Sequence, residues 1–255
     1  MRSLKSKLVE GQVTVGSWLT LAHPAIAEIM SRAGFDWLTI DLEHSVITIR
    51  EAEEIIRVVE LLGVIPLARL SANDPVQIKR VMDAGAHGVI VPMVNSTADA
   101  EAAVEAVRYP PMGKRGVGLA RAQGYGSSFE RYREWVNQES VVVVQVEHIE
   151  AVGNLEAILS VEGVDGFIVG PYDLSGSLGV PGQFDHPSMK KAMERIRTVG
   201  LSSGKAFGIH LIEPNVQELR QRLAEGYNFV AYSLDIRMLD RACRDGLDAI
   251  RSEIR

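Results

Sequence analysis

"VIPLARLSANDPVQIKRVMDAGAHGVIVPMV", residues 64–94, decides the fold. An apolar run over 64–70 is followed by Asp74 and Pro75, a capping residue and a first-turn proline that together start a helix. "AGAHG" at 84–88 stops that helix and returns the chain at once into a second apolar run, 88–94. Strand, helix and strand so closely joined read as one unit of a parallel sheet.

The unit repeats along the chain. Eight β-branched apolar runs occur, at 13–19, 37–41, 64–70, 88–94, 141–147, 166–170, 205–211 and 229–235, with helical patterns between them. "AGFD" at 33–36 and "EGYNF" at 225–229 repeat the helix-ending phrase, and Thr48 and Gly63 bound another helix. Eight strand and helix units in 255 residues predict a single (β/α)8 TIM barrel over 1–255. An open doubly wound sheet is the alternative, and the lack of a glycine-rich dinucleotide turn after the first strand argues against it. The rhythm breaks once, between Val104 and Val141. There "RYPPMGKRGVGLARAQGYGSS" and a helical "FERYREWVNQ" make a connection long enough to serve an active site or a subunit interface.

Bulk properties narrow the function. A formal charge of -6 disfavours a nucleic-acid surface, which needs clustered Lys and Arg, and favours a small-molecule partner. Cys243 is the sole cysteine, so no intrachain disulfide can form. The basic N-terminus lacks a following apolar segment, and no apolar run is long enough to cross a bilayer; a cytoplasmic protein is expected.

Barrel chemistry sits at the C-terminal ends of the strands. Those ends carry Asp41, Glu43 and His44, then Arg69, Gln145, Glu147, His148, Pro171, Tyr172, Asp173, His210, Ser233 and Asp235. Glu147 and Asp173 on adjacent strands could each be helix caps or ion-pair partners. Together they could give two oxygen ligands to Mg2+, Mn2+ or Co2+, leaving positions for water and substrate. Zinc is less favoured, because no closely spaced Cys and His cluster exists. Arg69 is either an ion-pair partner or a guanidinium fork for a carboxylate or enolate oxygen. His44 is a core group or a general base, with Asp41 or Asp83 as the carboxylate that would orient it. None of the seven lysines lies at a strand's C-terminal end, so Schiff-base chemistry is disfavoured. The loops after strands 7 and 8 lack phosphate-cradle glycines, so a carboxylate substrate without phosphate is expected.

"DLEHS" (41–45), "VIPLAR", "GVIVPMV", "YPPMGKRGVG", "QVEHIEAVGNLEAI", "VDGFIVGPYDLSGSLG" and "NFVAYSLD" resemble, in order and spacing, the pyruvate-dependent class II aldolases of the HpcH/HpaI family. The resemblance spans nearly the whole chain. It implies a reversible cleavage of 4-hydroxy-2-oxo acids to pyruvate and an aldehyde, through a pyruvate enolate and with a divalent metal. Glu147 and Asp173 match the metal ligands, and Gln145 and the peptide groups of Gly170, Pro171 and Tyr172 match substrate contacts. Arg69 matches the enolate-stabilising arginine and His44 the base, with Asp83 as the acid that raises its basicity and Asp41 a further nearby acid. A homo-hexamer with an exchanged C-terminal helix is implied as well. Tyr172 stands where sugar-acid aldolases of the family carry a small residue, and His210 where an apolar one is common. Oxaloacetate decarboxylation, macrophomate-synthase-like chemistry and a CoA-thioester lyase of the citrate-lyase type are the enzymatic alternatives. A non-catalytic carboxylate-binding barrel is the alternative from another class.

Overall fold

A computed structural model describes residues 3–254; Met1, Arg2 and Arg255, the ends of the expected 1–255 domain, lie outside the described residues. Eight parallel strands close into a barrel in sequence order: β1 (Thr14–Leu19), β2 (Trp37–Asp41), β3 (Ile65–Arg69), β4 (Gly88–Val91), β5 (Val141–Val146), β6 (Gly166–Val169), β7 (Ala206–Leu211) and β8 (Phe229–Leu234). The helices are α1 (Leu4–Val9), α2 (Pro24–Ser31), α3 (Ile49–Leu61), α4 (Pro75–Ala84), α5 (Thr97–Val107), α6 (Phe129–Glu139), α7 (Ile149–Ser160), α8 (Pro171–Ser177), α9 (Pro187–Ser203), α10 (Val216–Ala224) and α11 (Asp235–Ile254). The barrel reading is borne out, and the open-sheet alternative fails because β1 pairs with both β2 and β8. Among the described residues no helix is long and apolar enough to cross a membrane.

The local signals work through hydrogen bonds that the chain makes to itself. Thr48 and Glu51 form a reciprocal capping box at α3, and the Asp74 side chain accepts from Val76 N–H at the start of α4. Gly34, Gly85 and Gly226 in the three helix-ending phrases have φ of 94°, 106° and 98°, a left-handed turn that a side chain would strain. β4 stops at Val91, three residues before the apolar run ends, because Pro92 has no N–H for the sheet and Met93 turns to φ 52°.

Period-two alternation sorts the strand residues into two cores. Leu38, Ile40, Val89, Val142, Val144, Val169 and Ile209 face the helix layer. Trp18, Trp37, Leu67, Ile90, Val143, Ile168 and Phe229 fill the barrel, and Leu4 and Leu8 of α1 close its N-terminal end. Glycines make room for the large rings: a Cβ on Gly16 would lie 2.0 Å from the Trp37 indole, which stacks on Phe229 at 4.3 Å. The N-terminal half of the barrel is therefore solid. In this ring stack Trp37 Nε1 donates to Thr14 Oγ1 at 3.3 Å, and the charged groups of the interior lie at the C-terminal mouth. Gly16→Val is expected to force this ring stack apart and cost about 1–3 kcal/mol. Urea unfolding reads the loss, and an unchanged midpoint would show that the interior has slack.

Candidate active site

The residues of interest continue the inward alternation, so Asp41, Arg69, Gln145, Glu147 and His210 point into the mouth. Asp41 and Arg69 are direct neighbours in the β2/β3 register. Arg69 donates through Nε to Oδ1 at 2.9 Å and through Nη2 to Oδ2 at 2.6 Å, a two-pronged buried pair. Arg69 also packs on the Trp18 indole, 4.1 Å from the ring centre, and its Nη1 lies 3.0 Å from Glu43 Oε2. The remaining capacity of Asp41 shapes the "DLEHS" loop: Oδ1 accepts from the Glu43 and His44 N–H groups at 2.9 and 3.2 Å, and its carbonyl accepts from Ser45 Oγ. Burial alone would raise the Asp41 carboxyl, but the Arg69 hydrogen bonds and charge hold it below the ordinary carboxylate range.

Across the mouth, Glu147 Oε1 accepts from Met93 N–H at 2.7 Å, and Oε2 accepts from Gln145 Nε2. The strained turn at Met93 thus serves to aim an amide at Glu147. Gly170 is needed beside it, since a Cβ there would come within 3.1 Å of both Cβ and Oε2 of Glu147. Pro171 starts α8 and Asp173 lies in its first turn, while the Tyr172 ring is exposed and packs edge-on against Phe184. Burial, opposed by the Gln145 and Met93 hydrogen bonds and reinforced by the Asp173 charge, raises the Glu147 carboxyl. Burial lifts Glu43 to about 7, with Arg69 opposing and Glu147, Asp41 and Asp173 adding to the rise. The mouth holds more carboxylates than cations.

Asp41, His44, Arg69, Gln145, Gly170, Pro171, Tyr172, Asp173 and His210 line one cavity of about 400 Å³. Asp83 is not among them. Its carboxylate accepts from Arg115 and, at 3.0 Å, from Gln123 Nε2, beneath the 108–128 loop, and within one chain it makes no contact with His44. Asp41 likewise holds the backbone of His44 and not its ring. The carboxylate nearest the imidazole is Glu43, with Oε2 3.9 Å from Nε2, a neighbour that sequence reasoning left without a role. Asp235 is structural: it accepts from the Thr20 and Leu21 N–H groups, both at 2.8 Å, and joins the ends of β1 and β8. Sequence reasoning also missed Trp18 and Met93, although the odd spacing of "GVIVPMV", with its proline before Met93, is a signal of the latter. Among the described residues no group of three or more His, Cys, Asp or Glu is arranged to hold a metal.

The closed parallel barrel with an acid-rich mouth around one buried guanidinium places the protein among (β/α)8 barrels with a polar site at the C-terminal ends of the strands. Residues 14–242 match the HpcH/HpaI aldolase/citrate lyase family, and the chain belongs to that family. It is 41% identical over 247 residues to a hydroxypyruvate/pyruvate aldolase of Pseudomonas aeruginosa, covering 94% of this chain and 90% of that one. It is 41% identical over 242 residues to a 4-hydroxy-2-oxo-heptane-1,7-dioate aldolase of Escherichia coli, covering 94% and 91%. A crystal structure of a family member from Burkholderia cenocepacia J2315 superposes with a TM-score of 0.92 at 35% identity, covering 97% of this chain and 98% of that one.

The Asp41–Arg69 pair is expected to dominate local stability. Asp41→Asn leaves a buried guanidinium without its matched carboxylate, and urea unfolding at neutral pH should show a loss of about 3–5 kcal/mol. Because Arg69 holds folded Asp41 below its ordinary 3.8, this contribution is complete above that pH and is lost as pH falls through the folded value. The gap between wild type and variant should therefore narrow only in that acid range. A gap that closes near neutrality would contradict the assignment.

Proposed function

We propose that this chain is a metal-dependent class II aldolase, a carbon–carbon lyase that reversibly cleaves 4-hydroxy-2-oxo acids to pyruvate and an aldehyde. The observation that carries the reading is the crowding of Glu147, Asp173 and Glu43 in one mouth, where burial raises both glutamates, the Asp173 charge adds to each rise, and Arg69 is the one cation that opposes it. Such a donor set suits a hard divalent cation, and Mg2+, Mn2+ or Co2+ fits it better than a thiophilic ion. Glu147 and Asp173 would hold it. When bound, the ion supplies Lewis-acid polarisation of the 2-oxo group and charge for the adjoining carboxylate.

The rest is the work of this chain's own side chains. Gln145 and the peptide groups of Gly170, Pro171 and Tyr172 hold the pyruvate half. His44, whose ring is exposed to the cavity beside Glu43, takes the proton of the 4-hydroxyl. As the C3–C4 bond breaks, its electron pair passes into the enolate, whose oxygen faces the Arg69 guanidinium, fixed in advance by Asp41 and Trp18. Return of the proton to C3 gives pyruvate, and the aldehyde leaves. Asp83, paired with Arg115, acts on His44 in this reading only through a contact between chains. Oxaloacetate decarboxylation and macrophomate-synthase-like chemistry pass through the same enolate and are the alternative readings of this site.

A homo-hexamer with exchanged C-terminal helices is part of the proposal. α10 has no buried residue, and α11 exposes Leu239, Leu247, Ile250 and Ile254, so both carry apolar or unpacked faces beyond what one barrel uses. A groove of about 880 Å³ that includes Met193, Leu211 and Tyr227 lies between α9 and α10. Light scattering should give six times 27.9 kDa, and a chain ending at Asp240 should give a smaller assembly.

The decisive experiment is pyruvate release from 4-hydroxy-2-oxo acids with each metal and with EDTA. Activity is expected to vanish on chelation, and Glu147→Gln to lose metal binding by calorimetry. Arg69→Lys should lower kcat by about 100-fold, and His44→Ala by about 100-fold or more with metal affinity retained. Metal-independent turnover that borohydride traps would overturn the class.

A further inference from the structure

The cavity has two unlike sides. β2, β3, β5, β6 and the residues just after them supply Asp41, His44, Arg69, Gln145 and Asp173, whereas β1, β7, β8 and the residues just after them supply Trp18, Thr20, His210, Ile212, Leu234 and Ile236. If the pyruvate half occupies the first side, the aldehyde tail faces the second. This inference rests on the aldolase reading.

The second side is apolar apart from Thr20, His210 and the Trp18 indole N–H, which is fully buried and meets no acceptor among the described residues, and Thr20 is engaged. Thr20 Oγ1 donates to Asp235 Oδ1 at 2.6 Å. His210 is held in one orientation from two directions. Its ring stacks on Trp18 with centres 4.9 Å apart and planes at 24°, and its Nε2 lies 3.2 Å from the Ser233 carbonyl. A carbonyl oxygen only accepts, so Nε2 carries the hydrogen and Nδ1 of the neutral ring is an acceptor. Ser233 is itself fixed, at φ 56°, by its hydroxyl donating to the Ile212 carbonyl at 2.9 Å and by its carbonyl accepting from Ser17 Oγ at 3.1 Å. Burial, together with the Arg69 charge, lowers the imidazole to about 3, so the acceptor state persists at neutral pH. Among the described residues no donor meets Nδ1.

We propose that His210 is a specificity-determining residue whose Nδ1 accepts a hydrogen bond from a hydroxyl next to the aldehyde carbon, so that the preferred acceptor is a short, neutral hydroxyaldehyde. A charged tail is disfavoured on this side. Among the described cavity residues Arg69 is the one fixed cation, and Asp41 and Glu43 already occupy it. A distal carboxylate would meet Ile212, Leu234 and Ile236 without a counter-charge. An apolar tail would fit the wall but leave the His210 acceptor dry, which costs about one hydrogen bond.

The test uses the full chain with Mg2+, Mn2+ or Co2+, and pyruvate with glycolaldehyde, propanal or succinic semialdehyde. Propanal matches glycolaldehyde in size and lacks only the hydroxyl. The wild type is expected to favour glycolaldehyde over propanal by about tenfold in kcat/KM, the ratio of one net hydrogen bond. His210→Leu should erase the preference through the KM for glycolaldehyde, and His210→Asn, which keeps an acceptor near the Nδ1 position, should restore part of it. Equal use of the two aldehydes, a preference that survives His210→Leu, or preferred use of succinic semialdehyde would overturn the assignment. Deuterium exchange at the pyruvate methyl, followed by NMR without aldehyde, separates the two readings. Exchange without aldehyde preference removes the role of His210 alone, whereas no exchange with any of the three metals removes the aldolase reading beneath it.

Discussion

Arg69 is a guanidinium held inside a barrel, and the mouth is arranged around the cost of keeping it there. Burying that charge is unfavourable unless its donors are matched, and the β2/β3 register meets the requirement by setting Asp41 directly beside it. The match is nearly complete, with both carboxylate oxygens engaged and an indole beneath the guanidinium plane. One consequence reaches the backbone, because the same carboxylate oxygen that meets Arg69 Nε also accepts the amides of Glu43 and His44. The loop that carries the proposed base is therefore fixed by the pair that positions the proposed enolate stabiliser.

The carboxylates facing this pair have the opposite problem. Glu147 and Glu43 are both pushed upward by burial, with Asp173 adding to both and Glu147 adding to the rise of Glu43. The chain offers Glu147 hydrogen bonds from Met93 and Gln145, but no second buried guanidinium among the cavity residues. A site left electrostatically incomplete in this way is suited to an added cation. That logic, more than a ligand count, supports the metal-dependent reading. The left-handed turn at Met93 follows from it too, since local strain is tolerated where it supplies a donor to a buried acid.

Outside the mouth the barrel interior is mostly apolar, although Thr39 Oγ1 is buried there without a partner. Trp18, Trp37 and Phe229 fill the axis, and Gly16 admits rings that any side chain would displace. A rigid base of this kind keeps the strand ends in place, so the proposed choice of aldehyde falls to a single residue at the mouth, His210. The 108–128 loop is anchored separately, through Arg115 to Asp83 and Arg121 to Glu60. Burial opposes the Glu60 ion pairs only in part, and the His87 and Arg121 partners bring that carboxyl down to about 2.

The sequence by itself determined the eight strands, their parallel order and many of the side chains at the mouth, among them Asp41, Arg69, Gln145 and Asp173. Helix caps, glycine stops and period-two alternation are local, and each can be read within a few residues, as the 64–94 unit shows. Which partner each titratable group takes was decided by the tertiary structure. Asp41 and Asp83 were both candidates to orient His44, yet one is taken by Arg69 and the other by Arg115, and Glu43 stands nearest the ring. The physical reason is range. A hydrogen bond is decided within a few tenths of an ångström, between groups that the chain separates by tens of residues, and only strand register and loop closure set distances that finely.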